Sequence, residues 1–139
     1  MKKEKIILDT NLWLSFLISD KLALIEEVID NGNFELLLSE HLLYEIETVI
    51  KRPKFKKYFS DKSIALLFDF FAQQGKILNV SSDLTICRDE KDNFLLNLSI
   101  DGNADYLITG DKDLLVLSQI EKTKIITITD FLKINQTNN

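Results

Sequence analysis

Ile6-Ile7-Leu8-Asp9-Thr10-Asn11 and, far downstream, Tyr106-Leu107-Ile108-Thr109-Gly110-Asp111 are short apolar runs that turn polar at once. Similar runs of strand length occur at residues 36–38, 77–80 and 125–128. Between them lie segments with helical spacing. Residues 22–29 are followed by Gly32 in a C-terminal cap position, and Leu42, Leu43, Ile46, Val49 and Ile50 form a stripe stopped by Pro53. Residues 60–74 form a third such segment and end at Gly75; two shorter helices are expected after Asp92 and Asp111. Strands that are almost continuously apolar, alternating with helices, predict an α/β fold with a mostly parallel sheet covered on both faces. Ligands of such sheets bind beyond the carboxyl ends of the strands, so Asp9-Thr10-Asn11 and Thr109-Gly110-Asp111 are the first places to look for chemistry.

The composition is that of an ordinary globular chain: 139 residues, 45% hydrophobic and 28% charged, with four Gly and one Pro. A mainly disordered or collagen-like chain is excluded. One compact domain over residues 1–134 is expected, with a loosely ordered tail over 135–139. Seventeen Lys and Arg against twenty-two Asp and Glu leave a net charge of −5, so a nucleic-acid partner must be held by a local basic patch. Cys87 and His41 are the sole residues of their types, which excludes an intrachain disulfide and the usual structural zinc sites. The apolar run after the basic N-terminus is broken by Asp9-Thr10-Asn11, and no run approaches the ~18 apolar residues of a membrane span. A cytoplasmic protein with no membrane partner is the expectation. The four glycines are isolated, so no dinucleotide or Walker loop exists.

The carboxylates carry the distinctive signal. Asp89, Glu90, Asp92, Asp101, Asp105, Asp111 and Asp113 stand within one segment beside only Lys91 and Lys112. Crowded carboxylates repel one another unless a cation holds them, and an all-oxygen donor set selects Mg²⁺ or Mn²⁺. The plainer reading is a solvated acidic face, with Asn11, Asp89 and Asp111 capping helices. On a helical wheel with Leu42 at zero, the apolar arc runs from about 340° to 100°, with Glu45 near 300° and Glu47 near 140°. Both glutamates flank the buried face, and periodicity does not choose between them. Ser39 before the same helix is a natural N-cap, which leaves little support for nucleophilic catalysis by Ser39 and His41.

Taken together, Asp9-Thr10-Asn11, Ser39-Glu40-His41-Leu42-Leu43-Tyr44-Glu45 with Lys51-Arg52-Pro53-Lys54-Phe55, Arg88-Asp89-Glu90-Lys91-Asp92-Asn93-Phe94-Leu95, and Ala104-Asp105-Tyr106-Leu107-Ile108-Thr109-Gly110-Asp111-Lys112-Asp113-Leu114-Leu115 resemble a PIN domain in order and spacing. The resemblance spans residues 6 to about 132 and is nearer to the toxin components of prokaryotic type II toxin–antitoxin systems, the VapC-like ribonucleases. It implies a three-layer α/β/α sandwich around a mostly parallel sheet. It also implies Mg²⁺- or Mn²⁺-dependent hydrolysis of RNA, leaving a 5′-phosphate and a 3′-hydroxyl. By position, Asp9, Glu45, Asp92 and Asp111 match the family's acidic quartet, both catalytic and metal-holding. Asp113 matches a further, sometimes acidic, metal position, and Thr10, Asn11 and Thr109 match supporting positions. An RNA substrate and a small antitoxin protein are the implied partners, and a homodimer stays open.

Residues 51–62 hold Lys51, Arg52, Lys54, Lys56, Lys57 and Lys62 against Asp61, a surface suited to tracking phosphates or to receiving an acidic partner. Phe55, Tyr58 and Phe59 are interleaved and are candidates either for base stacking or for packing on the core. The competing reading of the whole chain is a PIN-like module that binds RNA or a protein with little or no catalysis. A receiver-like signalling domain fares worse, because Asp9 has no acidic neighbour after the first strand.

Overall fold

A computed structural model describes residues 3–137. Its six-stranded sheet has the order β3-β2-β1-β4-β6-β5. The strands are β1 (Glu4–Leu8), β2 (Phe34–Ser39), β3 (Gly75–Leu78), β4 (Tyr106–Ile108), β5 (Gln119–Ile120) and β6 (Thr123–Ile126). All neighbours are parallel except β5 and β6. The helices are α1 (Thr10–Ile18), α2 (Leu22–Val28), α3 (Glu40–Ile50), α4 (Asp61–Gln74), α5 (Asn93–Asp101), α6 (Lys112–Leu115) and α7 (Ile128–Thr137). The connections β1 to β2 and β2 to β3 step one way across the sheet, and β3 to β4 steps back. Right-handed crossovers therefore put the intervening helices on opposite faces, giving the expected α/β/α sandwich. Among the described residues no helix is long and apolar enough to cross a membrane.

β1 is central, and Ile6, Ile7 and Leu8 are fully buried because helices cover both faces. Ile6 aligns with Leu36 on one side and Tyr106 on the other, which brings the ends of β1 and β4 level at Leu8 and Ile108. Ser39 caps α3 by accepting the Leu42 N–H at 3.1 Å, and Ser60 caps α4 by accepting that of Ser63 at 3.0 Å. Leu42, Ile46 and Ile50 form the buried stripe of α3.

Several expected boundaries move. Asp9, rather than Asn11, is the N-cap of α1, its side chain accepting from Leu12 N–H. The third strand occupies residues 75–78 instead of 77–80, and a π-helical turn, Ile29–Asn33, replaces a glycine cap after α2. The last strand ends at Ile126, and Thr127 Oγ1 then accepts the Asp130 N–H at 3.2 Å as α7 begins. α7 continues to Thr137, into the expected loose tail; Asn138 and Asn139 lie outside the described residues.

Gly75 follows α4 directly as the first residue of β3 because the chain passes hard against its neighbours there. A Cβ at this position would stand 2.4 Å from Leu38 Cδ1 and 2.7 Å from the Phe71 carbonyl oxygen, whereas one at Gly110 would meet nothing within 4 Å. Gly75→Ala is therefore expected to destabilise the fold by about 1–3 kcal/mol, and Gly110→Ala by much less. Chemical denaturation of the two variants checks this.

Candidate active site

The site forms where the chain reverses its direction across the sheet. β1 and β4 are adjacent, yet their connections leave to opposite sides, so a crevice opens beyond their carboxyl ends. Asp9 leaves β1 there, and Thr109 and Asp111 leave β4.

A chain of hydrogen bonds fixes the two strand ends against each other. Thr109 Oγ1 donates to Asp9 Oδ2, and the same hydroxyl accepts the Asp111 N–H at 3.0 Å. Asp9 Oδ1 accepts the Leu12 N–H at 2.8 Å, Asp111 Oδ1 accepts the Asp113 N–H at 2.8 Å, and Arg88 Nε donates to Asp113 Oδ1 at 2.9 Å. Capping and site building are thus compatible: Asp9 and Asp111 each hold a helix start with one oxygen. Asp113 spends its charge on Arg88 at the margin of the crevice.

Asp89 and Asp92, one helical turn apart, separate cleanly. Asp89 accepts the Lys91 N–H at 3.1 Å and caps the short 3-10 turn Glu90–Asp92. Asp92 makes no capping bond, and its Oδ2 is buried with no hydrogen-bond partner. Burial, followed by the neighbouring carboxyl group of Asp111, pushes the Asp92 carboxyl up to about 7, with Asp89 and Asp9 adding to the rise. Burial also raises Asp9, where the bonds from Thr109 and Leu12 pull the other way and Asp111 reinforces burial.

Glu45 and Glu47 are separated by tertiary structure. Glu45 faces the crevice, raised first by burial and further by Asp9, and drawn back by the Thr10 hydroxyl, His41 and Arg52. Thr10 Oγ1 is buried and favours the charged form of Glu45, although it makes no hydrogen bond within normal distance. Glu47 points to solvent and pairs with Lys51 at 2.6 Å. Asn11 is exposed and makes no hydrogen bond to the carboxylates.

Asp9, Glu45, Asp92 and Asp111 are therefore brought into one electrostatically coupled group. Asp101 and Asp105 are elsewhere, bonded respectively to Ser81 and Ser82 and to the Lys5 N–H. An all-carboxylate set with a buried, unpartnered oxygen has the chemistry of a hard-cation site. As the side chains stand, no three His, Cys, Asp or Glu groups among the described residues converge closely enough to hold one ion.

The basic segment follows α3. Arg52 is near enough to Glu45 to favour its charged form, while Lys51 is occupied by Glu47. Lys54 and Lys57 lie over the rings of Phe55 and Tyr58 at 5.0 and 5.1 Å, and Lys56 is exposed. Phe59 is buried in the core and Phe55 packs against it, so Tyr58 is the one exposed ring of the three. Sequence reading gave no role to Arg88, which no local pattern connects to Asp113. It also passed over the stacking of His41 on Phe94, although His41 and Glu45 have the i, i+4 spacing that places them on one face.

Comparison with known proteins agrees with this architecture. The chain is 34% identical over 136 residues to the uncharacterized protein MJ1680 of Methanocaldococcus jannaschii, a match covering 96% of this chain and 82% of that one. Its fold is similar to that in the crystal structure of PAE2754 from Pyrobaculum aerophilum, with a TM-score of 0.51 and 14% identity over 98% of this chain and 99% of that one. Residues 5–113 match the PIN domain family model. PIN domains are generally nucleases and generally use divalent metals. With the match running from β1 to the first turn of α6, through all four crevice carboxylates, this chain belongs to the PIN domain family.

Proposed function

We propose that the protein is a Mg²⁺- or Mn²⁺-dependent endoribonuclease, acting in the cytoplasm as the toxin of a type II toxin–antitoxin system. The observation that carries the catalytic reading is the electrostatic linkage of Glu45, Asp92 and Asp111 through Asp9 at one end of the sheet, with Asp92 Oδ2 buried and without a hydrogen-bond donor. The toxin role, with a small antitoxin as partner, rests on the resemblance of the sequence motifs to VapC-like proteins.

Asp9, Glu45, Asp92 and Asp111 would hold the cation, with Asp113 at the margin. When bound, a divalent cation neutralises charge on a phosphodiester and acidifies an attacking water, the two needs of phosphate hydrolysis. The protein's part is preorganisation. Thr109 and the Leu12 amide hold both oxygens of Asp9, and Arg88 keeps Asp113 from adding uncompensated charge. Arg52, Lys54, Lys56 and Lys57 would attract the phosphate backbone, and Lys51 would join them on leaving Glu47. Incubating metal-free protein with total RNA, with and without Mn²⁺, and mapping the cut ends tests the reading. RNA that is bound but never cut makes the protein a binding module.

The carboxylates link metal, pH and stability. Asp92 titrates near 7 in the folded protein against 3.8 for an ordinary aspartate, so the metal-free folded state keeps a proton that the unfolded chain has lost. That contribution to stability is complete below pH ~3.8 and is lost as pH rises through about 7. Asp9 and Glu45 act in the same direction. The expected outcome is that this group lowers the melting temperature of EDTA-treated protein as pH rises from about 4 to 7. Mn²⁺ at a hundred times its Kd then restores about 2.7 kcal/mol above neutral pH. Asp92→Asn should reduce the pH-dependent loss, leaving the part due to Asp9 and Glu45, and remove most of the response to metal; calorimetry with and without EDTA reads both.

Charge-to-amide pairs separate catalysis from capping. Asp92→Asn and Glu45→Gln are expected to slow single-turnover cleavage by about 10²-fold or more, with RNA binding retained. Asp89→Asn and Glu47→Gln should stay within a few-fold of the parent, since Asn caps about as well as Asp and Glu47 faces solvent. Essential Asp89 and Glu47 with dispensable Asp92 and Glu45 would overturn the assignment. Removing the charges of Lys54, Lys56 and Lys57 together should weaken RNA binding. It should also flatten the salt dependence by about 0.7 for each phosphate no longer neutralised, read from binding isotherms across salt concentrations.

A further inference from the structure

A cleft of about 680 Å³ lies beside the carboxylates, between the start of α3, the chain that follows β3, and the start of α5. Cation binding and phosphate attraction leave it without a role. Its size is that of a small-molecule site, and its wall has a distinctive chemistry. Glu40, Asp83 and Glu90 line it, together with neutral amides, hydroxyls and apolar side chains, and among the described residues no lysine or arginine does. A phosphate would be repelled there. A flat, uncharged group with hydrogen-bond donors at its edge would be accepted, since free carboxylates can only accept.

The cleft also has a stacking surface. The His41 ring lies parallel to that of Phe94, 4.1 Å between centroids and 4° between planes. Phe94 packs against the hydrophobic core, so it backs the imidazole and fixes its plane, while the His41 side chain remains 61% exposed. His41 Nε2 is 3.9 Å from Glu45 Oε2, which ties the platform to the acidic group. The cleft's far wall is pinned too. Asn97 holds Leu84 through both its amide atoms, and Asn93 Oδ1 accepts the Cys87 N–H at 2.8 Å, leaving Asn93 Nδ2 without a hydrogen bond.

We propose that this cleft takes one unpaired nucleobase carrying an exocyclic amino group, stacked on the open face of His41 with its amino edge toward the carboxylates. Adenine, cytosine and guanine fit this description, and uracil does not. The base belongs to the RNA strand whose phosphate lies at Asp9, Glu45, Asp92 and Asp111, so its place in a cleavage reaction rests on the ribonuclease reading. Binding of the base itself does not.

His41 is the only histidine, so its ring protons give unambiguous proton NMR signals in the intact protein. Adenosine, cytidine and uridine are titrated in turn into EDTA-treated protein, which requires neither metal nor cleavage. Saturable upfield shifts of the His41 signals are expected with adenosine and cytidine, with uridine about tenfold weaker. In the Asp83→Asn, Glu90→Gln double variant that discrimination should collapse while stacking on His41 persists. Unmoved His41 signals with all three nucleosides, or uridine binding as well as adenosine, overturns the proposal. A second arm maps cuts made with Mn²⁺ in RNA of random sequence, where uracil should be depleted at one position beside the cut and the depletion abolished in His41→Ala. Cuts with no such depletion also overturn it. Nucleoside shifts without any cutting support the base site and reject the ribonuclease reading, which keeps the two failures distinct.

Discussion

Like charges gathered in a half-buried crevice are the constraint on which the rest of this structure depends. Asp9, Glu45 and Asp92 all have raised carboxyl pKa values, and burial is the leading cause each time. A fold that forced such groups together without fixing them would let them swing apart into water. Here the strand ends prevent it for Asp9 and Asp111. Level registers of β1 and β4 place Thr109 against Asp9, and the one hydroxyl both donates to Asp9 and accepts from the Asp111 amide. Replacing Thr109 by an apolar residue of similar shape would leave the Asp111 amide without its acceptor and Asp9 Oδ2 without its donor. Buried polar groups left in that state are among the costlier defects a fold can carry.

The acidic segment from Asp89 to Asp113 shows how partners, more than position in sequence, assign work to a carboxylate. Asp89 caps a turn, Asp101 ties down the amides of Ser81 and Ser82, and Asp105 takes the Lys5 amide at the start of β4. Each of these is satisfied within the protein and contributes to holding a connection in place. Among these carboxylates, only Asp92 presents a buried oxygen for which the described residues offer no donor other than the neighbouring Asp111 carboxyl group. Local cost of this kind is characteristic of a functional site, where the missing partner is a ligand.

How much of this is legible in the sequence follows from the range of the interactions. The apolar runs ending at Leu8 and Ile108 are local signals and mark β1 and β4, and with them Asp9 and Asp111 at the crevice. The choice of Glu45 over Glu47 is not local, because both flank the buried stripe of α3. It is made by Asp9 and Thr10, which reach Glu45 only through the docking of α1 beside α3. The β5–β6 hairpin escapes sequence reading for another reason: the positive-φ residues are Ser118, just before β5, and Glu121, in the turn itself, where a turn pattern would call for Gly or Asn. α7 was legible in principle, since Thr127-Ile128-Thr129-Asp130 has the Ser/Thr-x-x-acid form of a helix start, and Phe131 four residues on is fully buried against Phe34.

The proposed base cleft and the basic segment together give α3 a directional role. His41 and Glu45 stand one turn apart on α3, and Arg52 lies in the extended chain just beyond its carboxyl end, so the helix presents a stacking ring and a crevice carboxylate and the segment leaving it supplies a cation. Carboxylates line the cleft at the amino end of this helix, and the lysines follow its carboxyl end. On the proposed reading, a nucleic-acid strand laid across this gradient would put a base in the acidic cleft and its neighbouring phosphates toward Arg52 and the lysines. A phosphate placed in the cleft would instead meet Glu40, Asp83 and Glu90. On that reading the net charge of −5 would not oppose a polyanion, because the cleft acids lie where a base is proposed to sit and the lysines lie where its phosphates would run.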